Sequence, residues 1–309
     1  FATVKYVFRA PELDTDKPVV TPDGTASTDV DRTDTDEPDA PGRTRRKYCY
    51  NILVSGLDDD NGGSDTNILV RFDVPNKRID LVSLPRDTLL HNEYRNNKLN
   101  FAYAKGGTEL LMEQIENLLG IPVDFYVTVN LKGFIALVDQ IDGVDFDIPI
   151  NMDYDDPYQD LHIHFTKGPR HLNGQEAMEV VRFRHNNDGT GYGTEDIGRI
   201  GTQQAFLKAV AKQLLQIGNV KNIPALVDIF YTYVKTDLTT GNLVWLGNEA
   251  LNIGTENIHF ATLPGDGSGY YNKQSVYVLD AQATCDLVNE ALNPYNEALT
   301  LEDMDILVP

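Results

Sequence analysis

The sequence predicts an α/β sandwich, and three observations predict it. Strand-length apolar runs alternate at short intervals with segments of helical period across residues 48–309. Hydrophobic residues make up 41% of the 309-residue chain and charged residues 24%, which supplies enough apolar surface for a continuous core. The breaks between runs carry turn and cap chemistry in Gly, Pro and Asn, as an α/β chain requires. No run approaches the length of a membrane span, and no internal repeat is present.

Each element follows from its local pattern. Tyr48–Ser55 (YCYNILVS) is an apolar strand that opens the folded part. Asn67–Asp73 and Arg78–Leu84 form a hairpin, with Val74-Pro75-Asn76-Lys77 as the turn. Gly106-Gly107-Thr108 offers an N-cap before a helix over Glu109–Leu119, in which Leu110, Leu111, Ile115, Leu118 and Leu119 keep the helical period and Gly120 stops it. Asp124–Asn130 reads as a strand, Leu131–Ile141 as a helix and Val144–Ile150 as a strand. Asn173-Gly174-Gln175-Glu176 caps a helix running through Arg182, and Thr194–Ile217 is a long amphipathic helix. Helices follow over Pro224–Lys235, Thr240–Leu251 and Ala281–Leu292, with strands at Ile258–Leu263 and Ser275–Leu279. No boundary divides 48–309, which is therefore expected to be one domain.

Residues 1–47 read differently. Residues 11–40 hold ten acidic residues, two basic ones and four prolines, so they cannot bury enough apolar surface to offset their ordering entropy and are expected to be a linker. Arg43, Arg45, Arg46 and Lys47 end it, as a solvated hinge in preference to a phosphate contact. The chain opens on Phe1, so an upstream piece is expected to have been removed. A net charge of −21 repels a phosphate backbone and excludes wrapping of nucleic acid, though a local arginine cluster can still hold a small anion. Cys49 and Cys285 fit no zinc ribbon or CxxC motif, which leaves one long-range disulfide or two buried thiols.

Common catalytic signatures are absent: no GxSxG, GxxxxGK[ST], HExxH or GxGxxG occurs. Three charged segments remain. Gly56-Leu57-Asp58-Asp59-Asp60 and Ser64-Asp65-Thr66 place carboxylates at adjacent strand ends, where they can share a hard cation or simply cap a turn. Ser83-Leu84-Pro85-Arg86-Asp87-Thr88 presents Arg86 at the carboxyl end of an apolar strand, as a ligand contact or an exposed ion pair. Val181-Arg182-Phe183-Arg184-His185, with Asp196-Ile197-Gly198-Arg199 and Gln203-Gln204 beyond it, offers two guanidinium forks for a pyrophosphate, or a basic surface around a core Phe. A fourth acidic group, Asp153, Asp155, Asp156 and Asp160, lacks EF-hand spacing and is expected to be a solvated loop.

The strings NILVSGLDDD, SDTNILVRFD, RIDLVSLPRDT, KLNFAYAKGG, LLGIPVDFYVTVNLKGFIALVDQIDGV, GPRHLNGQEAMEVVRFRH and DIGRIGTQQ, spread over residues 49–217, together resemble the LytR-CpsA-Psr family of cell-envelope proteins. The resemblance implies a three-layer α/β/α sandwich with a central mixed β-sheet, held outside the cell by one N-terminal membrane anchor that this chain lacks. It implies an enzyme that uses Mg²⁺ to transfer teichoic acid or capsular polysaccharide from a polyprenyl-pyrophosphate carrier to peptidoglycan. Asp58 and Asp65 match the family's metal-binding aspartates, Arg86 its Pro-Arg-Asp arginine, Arg182 and Arg184 its pyrophosphate-gripping pair, and Gln203 its head-group glutamine.

Asp87 or Asp196 is expected to orient or deprotonate the acceptor hydroxyl. The family often has Arg where this chain has Gly63 and Thr202, so two phosphate contacts are expected to be either weaker or supplied from elsewhere, by Lys98, Lys105 or Arg199. Leu110, Leu111, Phe134, Leu137 and Val138 are either a slot for the lipid or plain core. Hydrolysis of the carrier pyrophosphate, and lipid binding without catalysis, are the competing readings.

Overall fold

The computed structural model describes residues 9–13, 42–57, 63–92, 94–158, 160–192, 195–216 and 232–309. They fall into two compact units, one of residues 1–128 and 235–309 and one of residues 129–234. Most of the helix expected over Pro224–Lys235, and most of the linker, lie outside the described residues.

The first unit starts with β1 (Cys49–Leu57), β2 (Ser64–Asp73) and β3 (Arg78–Leu84), an antiparallel meander. Its register explains how both faces become apolar. Leu53, Leu69 and Val82 line up across the three strands on one face, and Tyr50, Phe72 and Ile79 on the other. Against the first face packs α1 (Leu99–Leu119), through Leu111, Ile115 and Leu118. This helix begins ten residues before the expected start. Gly106 and Gly107 break it internally, Gly107 at φ +69, so the glycine pair that reads as an N-cap is a kink between two helical stretches. Gly120, at φ +65, ends the helix as expected.

After β4 (Phe125–Asn130) the chain enters the second unit with α2 (Leu131–Gln140) and β5 (Val144–Ile148). Two further strands, β6 (Met152–Asp156) and β7 (Leu161–Phe165), form an antiparallel hairpin where a solvated loop is expected from sequence. Met152 and Leu161, Ile163 and Phe165 are buried in alternation, and this apolar side converts an acidic stretch into strands. The strand β8 (Gly168–Leu172) pairs with β5. The helices α3 (Gly174–Arg182) and α4 (Glu195–Gln216) complete a core built on Val138, Val144, Phe146, Ile163, Ala177 and Phe206.

The chain returns through β9 (Val234–Thr236), α5 (Thr240–Ile253) and β10 (Ile258–Thr262), then β11 (Gly265–Tyr271), β12 (Gln274–Leu279) and α6 (Ala281–Ala291). The sheet order is β10-β3-β2-β1-β4-β9, and β10 lies parallel to β3, so the sheet is mixed. With α1 and α6 over one face and α5 over the other, the first unit is a three-layer α/β/α sandwich, as the resemblance implies. Among the described residues no helix is long and apolar enough to cross a membrane.

The basic cluster is not a hinge. Arg43 pairs with Asp303 at 2.6 Å, Arg45 with Asp124 and Arg46 with Asp73, and Arg45 bridges to Tyr295. These partners are remote in sequence and draw the segment onto the sandwich, so folded structure begins before Tyr48. Residues 9–13 dock as well: Tyr50 donates its hydroxyl hydrogen to the Pro11 carbonyl, and Asn242 donates to the Arg9 carbonyl. Of the residues read as a lipid slot or plain core, Leu111 is fully buried in the core of the first unit and Val138 in that of the second, while Leu110, Phe134 and Leu137 are only part-buried.

Both cysteines are buried free thiols. Burial pushes the Cys49 thiol up to about 11, which keeps it protonated and unreactive. Iodoacetamide is therefore expected to leave both thiols unmodified in the native protein and to alkylate both after denaturation, read by intact mass. Native labelling of Cys49 would contradict this burial.

Candidate functional site

In the first unit the site residues gather where β1 ends, β2 begins and β3 ends. Gly56 pairs with Thr66 but Leu57 pairs with Ser64, so Asp65 is the extra residue of a β-bulge. A bulge bends its strand and re-aims the side chain it carries. Here it sets Asp65, part-exposed, against Arg86, whose Nη1 donates to Asp65 Oδ1. Asp58, the next residue after Leu57, lies outside the described residues.

Arg86 is held from behind. Pro85 ends β3, and the turn closes with Thr88 donating from its backbone N–H and its hydroxyl to the Pro85 carbonyl at 3.0 and 2.6 Å. The first N–H groups of α1 are met by this turn: Leu99 donates to the Thr88 carbonyl at 3.0 Å and Asn100 to the Arg86 carbonyl at 2.9 Å. Docking the helix there brings Lys98 Nζ to 3.3 Å from Asp87 Oδ2, while Asp87 Oδ1 lies 3.6 Å from Arg86 Nε. The result is an alternating chain, Asp65–Arg86–Asp87–Lys98. Gly63 sits at the same helix end, since a Cβ there would lie 3.8 Å from the Asn100 carbonyl oxygen. Lys105 is exposed on α1, just before the glycine kink.

In the second unit the capping box expected at Asn173 forms: its side chain accepts from the Glu176 N–H at 2.9 Å, and Glu176 accepts from the Asn173 N–H at 3.1 Å. Thus fixed at its start, α3 ends on Arg182. Phe183, 1% exposed and edge-on to Tyr192 at 5.6 Å, is a core anchor between two arginines, with Arg182 part-buried and Arg184 exposed. The core-Phe reading and the two-arginine reading thus describe one device, because the anchor holds the chain that presents both cations.

Gln203 donates from Nε2 to the Val181 carbonyl at 3.1 Å, so it braces the end of α3. Thr202 is buried and bonds within its own helix, to the Gly198 carbonyl at 3.1 Å. Asp196 and Arg199 lie on the backbone of α4, and their side chains lie outside the described part. Gly198 explains one part of the DIGR string: a Cβ there would fall 2.3 Å from Tyr192 Cβ. Gly198→Ala is therefore expected to push α4 off Tyr192 and cost about 1–3 kcal/mol, read by urea unfolding. An unchanged midpoint would show that the helix has room.

Sequence reasoning alone does not reveal the bulge, since Asp65 becomes the odd residue only once the β1–β2 register is known. The bracing role of Gln203 is likewise invisible, because its partner is a backbone carbonyl.

A model of the LytR_cpsA_psr family matches residues 20–293. The chain is 32% identical over 252 residues to the polyisoprenyl-teichoic acid–peptidoglycan teichoic acid transferase TagV of Bacillus subtilis, covering 77% of this chain and 62% of that protein, so it spans less than two thirds of that relative. It is 32% identical to the TagU transferase of Bacillus cereus, over 77% of this chain and 76% of the other, and 30% identical to the regulatory protein MsrR of Staphylococcus aureus, over 72% and 67%. The crystal structure of B. subtilis TagV superposes with a TM-score of 0.68 at 27% identity, over 85% of this chain and all of that one. A structure of TagT bound to LI-WTA superposes at 0.62 and 23% identity, over 81% and 92%, which is a likeness of fold. With the family model matching most of the chain and relatives about 30% identical over more than two thirds of it, the chain belongs to the LytR-CpsA-Psr family.

Proposed function

We propose that the protein is a phosphotransferase that moves a teichoic-acid or capsular-type glycopolymer from a polyprenyl-pyrophosphate carrier to peptidoglycan, with Mg²⁺, at the outer face of the cytoplasmic membrane. The observation that carries this reading is the bulge-set Asp65 against Arg86 at the strand ends, in a chain whose relatives include teichoic acid transferases. Guanidinium and ammonium groups beside a hard carboxylate are the complement of a cation-bound pyrophosphate.

Asp65 fits a hard cation, being a part-exposed carboxylate whose Oδ1 meets Arg86, and Asp58 is assigned as its companion ligand. When bound, Mg²⁺ supplies charge neutralisation on the pyrophosphate oxygens. Arg86 donates to non-bridging oxygens of the carrier, and Arg182 and Arg184 are assigned the same task. Lys98 takes over the cation missing at Gly63, because Lys98 is the N-cap of α1 and Gly63 lies against the first turn of that helix.

Asp87 has each oxygen facing a cation, so it braces Arg86 and Lys98 instead of receiving a proton. Orientation of the acceptor hydroxyl then falls to Asp196. In the reaction the acceptor hydroxyl, the muramic C6 hydroxyl of the family, attacks the phosphorus nearer the glycan as its proton passes to the carboxylate assigned as base, Asp196. The bond from that phosphorus to the bridging oxygen breaks, and polyprenyl phosphate leaves with the electron pair.

The test follows release of polyprenyl phosphate with and without peptidoglycan oligomers. Transfer predicts release that depends on the acceptor, whereas equal release without acceptor would make the protein a phosphatase.

A further inference from the structure

The β6–β7 hairpin carries a second group of chemically able side chains that the transfer reaction does not use. Across this antiparallel pair Asp155 stands opposite His162 and Asp153 opposite His164, and residues two apart on a strand share a face. His162 Nδ1 lies 2.5 Å from Asp155 Oδ1, and His164 Nε2 lies 3.4 Å from the same oxygen. One donor atom from each of the three residues falls within 4.8 Å of the other two. The second nitrogen of each ring is also met by a carboxylate. His164 Nδ1 is 2.8 Å from Asp153 Oδ1, and His162 Nε2 is 3.6 Å from Asp160 Oδ1.

Each imidazole thus turns one nitrogen toward a common centre at Asp155 and the other toward an outer carboxylate. A simple surface ion pair needs one contact per ring. Metal-ligating histidines show the double arrangement, because the outer carboxylate fixes the tautomer and raises the basicity of the ligating nitrogen.

We propose that Asp155, His162 and His164 bind one divalent transition-metal ion of the zinc type, with Asp153 and Asp160 as the outer carboxylates. Two imidazoles and one carboxylate suit Zn²⁺ and its neighbours, whereas Mg²⁺ and Ca²⁺ take shells of oxygen. All three ligands are exposed, so water completes the shell. Bonds of about 2.0–2.1 Å to a tetrahedral ion separate ligand atoms by about 3.3 Å, so the His162–Asp155 contact opens by a small rotation of exposed side chains. The surrounding charge favours a cation, since Glu179 on α3 also acts electrostatically on both histidines.

The site has a route to the arginine-bearing segment of the same unit. Backbone N–H groups of Asp153 and Asp155 donate to the side-chain oxygens of Asn186 and Asn187 at 2.7 and 2.6 Å, and Asn187 donates back to the Asp153 and Asp155 carbonyls at 3.1 Å each. Tying β6 to β7 therefore stiffens the segment that follows Arg182 and Arg184.

The experiment titrates Zn²⁺ alone into the metal-stripped full chain against a chromogenic chelator, and repeats it with Co²⁺ read by its visible absorption. The expected result is one ion per chain, weakened about 100-fold or more in a His162→Gln/His164→Gln double variant, since both ligating nitrogens are lost. His171→Gln serves as the control: its ring pairs with Asp145 on the β5–β8 ribbon, and its removal is expected to leave binding unchanged. Both ligand histidines are more than half exposed, at 54% and 55%, so the double variant is expected to keep its circular dichroism and thermal midpoint. Equal binding by wild type and double variant, no saturable binding, or displacement of Zn²⁺ by equimolar Mg²⁺ would each overturn the proposal. No glycan transfer is measured, so failure here leaves the transferase reading untouched.

Discussion

Arg86→Ala is expected to lower the turnover of glycopolymer transfer by about 10²- to 10³-fold, the scale seen when one preorganised donor to a developing negative charge is removed. The side chain is 29% exposed, and its partner Asp65 is similarly open at 32%, so their pair contributes at most about 1 kcal/mol to folding. What Arg86 contributes is a planar fork held in place by the Pro85 turn and the head of α1. Arg86→Lys keeps the charge and loses the fork, so it is expected to fall between wild type and Ala. The check is kcat for polyprenyl phosphate release, measured beside the urea midpoint. A variant with unchanged stability and near-normal turnover would remove Arg86 from the reaction.

Asp80→Ala is expected to destabilise the protein by about 3–5 kcal/mol. Asp80, 2% exposed, pairs with Arg71 at 2.7 Å and with Arg78 at 2.7 Å at the opposite end of β2 and β3 from the site. Arg71 is itself 4% exposed, and its Nε has no hydrogen-bond partner, so removing Asp80 strands a buried guanidinium. Urea unfolding followed by tryptophan fluorescence measures the loss. A midpoint close to wild type would mean that water reaches Arg71. The two ends of the meander thus divide the labour: buried ion pairs hold one end, and part-exposed ones at the other end remain able to exchange partners for a ligand.

How much of this was legible in the sequence depends on whether the cause is local. The β1–β2–β3 meander is readable because strands buried on both faces are nearly continuous apolar runs, and the Asn173 capping box because both halves lie within four residues. The start of α1 is hidden because Lys98 provides no side-chain cap, while Gly106-Gly107 imitates a beginning. The β6–β7 hairpin carries alternating Met152, Tyr154, Leu161, Ile163 and Phe165, but the aspartates between them read as loop.

Ion pairing of Arg43, Arg45 and Arg46 depends on Asp303, Asp124 and Asp73, which no local pattern connects to them. Site residues followed the same rule. Arg86 and the Arg182–Arg184 pair stand in recognisable motifs, whereas the bulge that selects Asp65 and the bracing by Gln203 exist only after folding.

The central claim is transfer of an intact glycan phosphate to peptidoglycan. The most direct measurement is the mass of the product after incubation of the protein, Mg²⁺, a polyprenyl-pyrophosphate-linked glycan and peptidoglycan oligomers. The account predicts a phosphodiester-linked conjugate, absent with Asp65→Ala or Arg182→Ala. Free glycan phosphate without conjugate, or carrier lipid that binds and never reacts, would contradict it.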